Sequence, residues 1–81
     1  MDTRKLSFVL TSVPDRTLLV AELRVGNDPW GEVNVERGFP VLELYPRPGG
    51  GPWQFRLADV LPFTQSAADH LLENDRETFR V

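Results

Sequence analysis

The chain has 81 residues, nine basic and twelve acidic, with a formal charge of −3 and an isoelectric point near 5.0. That balance has the wrong sign for unspecific attraction to nucleic-acid phosphates or anionic lipid, and the lack of cysteine removes disulfides, thiolate nucleophiles and zinc–thiolate sites. A chain this short forms one domain with one core and takes only about 60% of its unfolded surface out of water.

The first ten residues carry no extended apolar run behind their charges, and no stretch is apolar enough to cross a bilayer, so neither a signal peptide nor a membrane span is expected. Residues 5–12 (KLSFVLTS) put Leu6, Phe8 and Leu10 on alternate positions, the period of a strand buried on one face. Pro14 and Asp15 then suit the two inner positions of a β-turn. Residues 17–25 alternate again, with Leu19, Ala21, Leu23 and Val25 on one side and Leu18, Val20, Glu22 and Arg24 on the other. After the turn cluster GNDP, the run WGEVNVER sets Val33 and Val35 inward and Trp30, Glu32, Asn34 and Glu36 outward. Gly38 breaks the chain, and in PVLELYP Leu42 and Leu44 face opposite to Glu43 and Tyr45. Beyond RPGGG, the run PWQFRL carries Trp53, Phe55 and Leu57 on one face and Gln54 and Arg56 on the other, which reads as a fifth strand.

Helical spacing appears in residues 58–75, where Val60, Leu61, Thr64, Ala67, Ala68, Leu71 and Leu72 form a stripe of apolar or small residues. Asp59 is the expected N-cap, with Pro62 in the first turn, and Asn74 is the expected stop. A later start would put the boundary at Pro62 or Phe63. The remainder, DRETFRV, reads as a tail or a short strand built on Phe79 and Val81. The expected architecture is α+β: residues 1–75 form an antiparallel β-meander of about five strands followed by one C-terminal helix packed on the sheet, and residues 76–81 form a tail.

Three consecutive glycines, Gly49 to Gly51, raise the question of a phosphate cradle. Such a cradle needs a helix after the loop and free backbone donors, whereas here a strand is expected to follow and Pro48 and Pro52 remove two donors. A hairpin connection is the expectation. The single histidine, His70, sits four residues after Ser66 and near Asp69 and Glu73 on one expected helix. Neighbours on one exposed helix supply no oriented base or oxyanion site, and one histidine with a carboxylate is short of a closed metal site. No metal, no cofactor and no catalytic residue are expected.

Glu22, Glu32, Glu36 and Glu43 share the open face of adjacent strands, and an open face offers little of the burial that splits carboxyl pKa values for acid–base work. The face reads as a solvated surface or as a protein-binding one. Trp30 and Tyr45 share its parity, and rigid aromatics beside charge favour binding, while packing at a sheet edge or core end is the alternative for both. The candidate protein-binding residues are therefore Trp30, Glu32, Glu36, Glu43 and Tyr45.

The pattern over residues 21–61, AELRV, PWGEVNVERG and VLELYPRPGGGPWQFRLADVL, resembles small bacterial immunity proteins of toxin–immunity systems. The resemblance implies a cytoplasmic, non-enzymatic inhibitor that blocks a cognate toxin by stoichiometric binding, and it brings no catalytic residues. The expected partner is another protein with a basic surface, bound through the acidic sheet face, with no direct nucleic-acid or membrane contact. The chain itself is expected to be a monomer or weak dimer. A phage-type inhibitor of a host defence complex and a self-assembling subunit are the alternatives.

Overall fold

The computed structural model describes the backbone of residues 1–79 and the side chains of residues 1–74. Four strands form a single antiparallel sheet in the order β1 (Leu6–Thr11), β2 (Val20–Val25), β3 (Asp28–Asn34) and β4 (Val41–Leu44), and one helix, α1 (Leu57–Phe79), follows. The α+β meander with a C-terminal helix is thus present, with four strands where five are expected. No described helix is long and apolar enough to cross a membrane.

Each turn follows from local chemistry. The Arg16 N–H donates to the Val13 carbonyl at 3.2 Å, so Pro14 and Asp15 occupy the inner positions of a β-turn. Gly26 and Asn27 form a two-residue hairpin loop between Val25 and Asp28. The φ of +57° at Gly26 is what a primed turn needs at its first central position.

The alternation expected for β2 holds, and Ala21, Leu23 and Val25 are buried with Val33 and Val35 against Ala67, Ala68 and Leu71 of α1. Leu6, Phe8, Leu10, Val60 and Phe63 flank this centre, with the Phe8 and Phe63 rings edge to face at 5.9 Å. Complete burial of a side chain such as Leu23 or Leu71 contributes about 1.5–3 kcal/mol each.

β3 departs from simple alternation. Arg24 pairs with Pro29 and Leu23 with Gly31, so Trp30 is an extra residue in a β-bulge. The bulge turns Trp30 to the helix side, where it is 2% exposed and lies 4.8 Å from the Phe55 ring. The expectation that Trp30 shares the glutamate face is therefore corrected. Pro29 lacks the N–H that a regular ladder uses, and a Cβ at Gly31 would stand 2.7 Å from the Glu43 carbonyl oxygen, so both flanking residues suit the irregularity.

Residues 52–56 are not a strand. They run extended across one end of the sheet, held by Asp2 N–H donating to the Gln54 carbonyl at 2.9 Å, and deliver the chain to the helix side. Trp53 and Phe55 pack on the core as their parity indicates, and the Trp53 indole N–H donates to the Tyr45 carbonyl at 3.0 Å. The glycine loop is accordingly not a hairpin connection. Arg47 tightens it by donating to the Gly50 carbonyl at 3.0 Å and lies over the Trp53 ring.

The helix begins two residues before Asp59 and runs to Phe79, past the expected stop at Asn74. Asp59 is an acidic residue in the first turn rather than the cap, and Pro62 lies in the second turn, where its missing N–H leaves the exposed Ala58 carbonyl to water. Arg80 and Val81, the end of the expected tail, lie outside the described residues.

The indole nitrogen of Trp30 is buried with no hydrogen-bond partner, a cost of about 1–3 kcal/mol. Trp30→Phe removes that donor while keeping an aromatic ring against Phe55, and Trp30→Ala leaves a cavity. Urea unfolding should show a loss of about 3–5 kcal/mol for Trp30→Ala and no more than about 1 kcal/mol for Trp30→Phe. Equal losses would mean that the ring's packing against Phe55 is unimportant.

Candidate functional site

Two surfaces flank β4. The first is the glutamate row on the sheet face away from the helix. Glu22 pairs with Glu32 and Glu32 with Glu43 across β2, β3 and β4, so three carboxylates stand side by side. Like charges directly opposite one another repel. The β1–β2 connection answers this by folding Arg16 over the row.

Arg16 Nε donates to Glu32 Oε2 at 3.1 Å, and its Nη2 forms an ion pair with Glu43 Oε2. Asn34 Nδ2 donates to the same Glu32 oxygen at 3.1 Å, and the Tyr45 hydroxyl donates to Glu32 Oε1 at 2.9 Å. Glu32 is only 4% exposed, and both its oxygens are occupied. Hydrogen bonding to Glu32 holds the Arg16 guanidinium more firmly charged than usual. Burial, reinforced by the bond to Glu32, raises the Tyr45 phenol well above its ordinary range. Glu22 is paired with Arg24 at 2.7 Å.

Glu36 has a different role. Its carboxylate accepts the Thr17 N–H at 2.7 Å, the Thr17 hydroxyl at 2.8 Å and the Leu18 N–H at 3.0 Å, which ties the β1–β2 connection to the end of β3. The Leu18 and Thr17 bonds lower its pKa. Of the five residues expected to bind a partner, Glu32, Glu43 and Tyr45 are brought together, Glu36 fastens a loop, and Trp30 is in the core. Among these, Glu43 has a side chain that is about half exposed.

Chemically this face is a closed ionic lock. Both Glu32 oxygens are already engaged by Arg16, Asn34 and Tyr45. His70 packs against Phe8 with the ring centroids 5.4 Å apart and the planes tilted by 57°, and its Nδ1 contacts the Ser66 carbonyl rather than the hydroxyl. Among the described residues no three histidine, cysteine or acidic side chains converge as metal ligands.

The second surface is apolar. Leu42 and Leu44 keep the core parity expected of them, since they pair with Val33 and Gly31. Yet they are 48% and 62% exposed, because α1 packs on β1, β2 and β3 and not on β4. Leu61 and Leu57 on the near side of α1 are 60% and 65% exposed, against the expectation that both are core residues. A groove of about 210 Å³ runs between β4 and α1, lined by Val33, Pro40, Leu42, Leu61, Thr64 and Ala68.

β4 is also an edge strand. The Tyr45 N–H donates inward to the Trp30 carbonyl at 3.0 Å. By the alternation of an antiparallel ladder, Glu43 and Val41 also turn their backbone groups inward, and Leu42 and Leu44 turn theirs to the free edge. Alternation in the sequence does not reveal this surface. One signal could have: a helix is too narrow to cover four strands.

Comparison with protein-family models, with curated proteins and with solved structures gives no match.

Two outcomes are expected of this face. Glu32→Lys buries a second cation beside Arg16 and should destabilise the fold by roughly 3 kcal/mol in urea unfolding, whereas Glu43→Lys, at an exposed position, should stay within about 1 kcal/mol. Similar losses for the two would contradict the lock. Because the folded pKa of Glu36 is depressed, its contribution to stability is present above its ordinary value of 4.5 and disappears as pH falls through the lower folded value. The urea midpoint of the wild type should therefore fall more steeply below pH 4.5 than that of Glu36→Gln, and parallel curves would rule out the tie to Thr17 and Leu18.

Proposed function

We propose that the protein is a small protein-binding module acting by stoichiometric association, as an immunity-type inhibitor of a toxin does, in the cytoplasm. The observation that carries the reading is the uncovered apolar strip of Leu42, Leu44, Leu57 and Leu61 beside a free sheet edge, in a domain too small to waste apolar surface. Such a strip rimmed by polar groups is what protein interfaces use. Glu43 stands at its border and adds charge selectivity for a basic partner surface.

The interface in this reading is centred on β4 rather than on the whole acidic face, because Arg16 already neutralises much of the glutamate row. The small size and the closed lock at Glu32 favour binding over catalysis.

Affinity capture from the source lysate tests the reading, with wild type, Leu44→Asp and the surface control Ser7→Ala, at an exposed position on the opposite edge strand β1, as baits. One protein recovered in near-equal amount by wild type and Ser7→Ala, and lost with Leu44→Asp, is the expected result. Recovery of the same partner by the folded Leu44→Asp bait would overturn the assignment of this surface.

A further inference from the structure

We propose that the free edge of β4 receives an extended segment of another protein as an added antiparallel strand, and that this segment carries a basic residue between two apolar ones. The inference rests on the protein-binding reading above and specifies its mode and the chemistry of its partner.

The edge offers a short, defined set of groups. Leu42 and Leu44 direct their N–H and C=O groups outward, so an incoming strand gains four main-chain hydrogen bonds from two residues. Their side chains lie on the helix side, where apolar residues of the incoming strand would settle against Leu61 and the groove beside α1. Between them Glu43 points to the opposite face with its side chain about half exposed.

In antiparallel addition Glu43 falls at a non-hydrogen-bonded pair, the position where facing side chains come closest. The residue opposite it is therefore selected by charge. A lysine or arginine there completes the alternation of charge that begins with Arg16 on the other side of the Glu43 carboxylate.

A second copy of this chain suits the edge poorly. Pairing β4 with its own twin about Glu43 sets Glu43 against Glu43, a like-charge contact. Sliding the register by two residues either way brings Pro40 or Pro46 to a position that needs an N–H, which proline lacks. Those three residues block self-association and leave the edge open to a different strand.

The test uses the full chain, isotope-labelled, titrated at low salt with two blocked heptapeptides, one alternating valine and lysine and the other alternating valine and glutamate. The valine–lysine peptide should shift the Leu42 and Leu44 amide resonances and slow their exchange. It should bind roughly two- to fivefold more tightly than the valine–glutamate peptide, the range expected of one cross-strand charge pair. Glu43→Lys should reverse the preference, and Leu44→Asp should abolish binding of both while its spectrum remains that of a folded protein.

Equal binding of the two peptides, or a response at residues away from β4, would overturn the proposal. So would a concentration-dependent dimer of the wild type that dissociates on Leu44→Asp, which would assign the edge to a second copy. If a lysate partner is lost with Leu44→Asp and yet the β4 amides ignore both peptides, strand addition fails and the protein-binding reading stands.

Discussion

The width of one helix sets the terms for the rest of this molecule. Four strands about 4.8 Å apart place the outer strand axes roughly 14 Å from each other, and a helix with its side chains is about 10–12 Å across. α1 packs on β1, β2 and β3, and β4 is left bare on the helix side. The consequence is specific. Leucines whose parity belongs to the core, Leu42 and Leu44, end up at the surface, together with Leu57 and Leu61 on the flank of the helix.

The opposite face is organised by charge. Three glutamates in register would push the strands apart, and the β1–β2 connection supplies the remedy by carrying Arg16 across to Glu32 and Glu43. Glu36 holds the same connection from the other side through Thr17 and Leu18. A loop of eight residues, 12–19, is thus fixed at both ends of the row, and Val20 is completely buried on this side of the sheet. Tyr45 joins the lock from the end of β4, so the exposed edge strand is anchored by its inward-facing groups while its outward-facing ones stay free. The two faces meet in β4, where a charged residue sits between two apolar ones.

Much of this was legible in the sequence. Period-two alternation found all four strands to within a few residues, and the 3.6-residue period found the helix and its buried stripe of Ala67, Ala68 and Leu71. Parity also put Glu22, Glu32 and Glu43 on one face. It failed where the backbone stops alternating. The bulge at Trp30 reverses the assignment of that one residue and leaves those of Glu32 to Val35 intact, and the Pro29 and Gly31 that flank it are the only local sign. It also failed for PWQFRL, whose alternation reflects packing of Trp53 and Phe55 against the end of the core rather than pairing in the sheet. The partners of Arg16 were not legible, because they depend on how a connection folds over a face. The exposure of Leu42 and Leu44 is not legible for a different reason: parity says which side a residue faces and nothing about whether that side is covered.

In the free protein β4 is an anchored strand with an open outer edge, and residue-resolved amide hydrogen exchange of the isolated chain reads this out strand by strand. Fast exchange is expected for the Leu42 and Leu44 amides, whose N–H groups point to the free edge, and slow exchange for the Val41, Glu43 and Tyr45 amides, whose N–H groups point to β3. Uniform protection across residues 41–45 would contradict it, since it would mean that the edge is already covered.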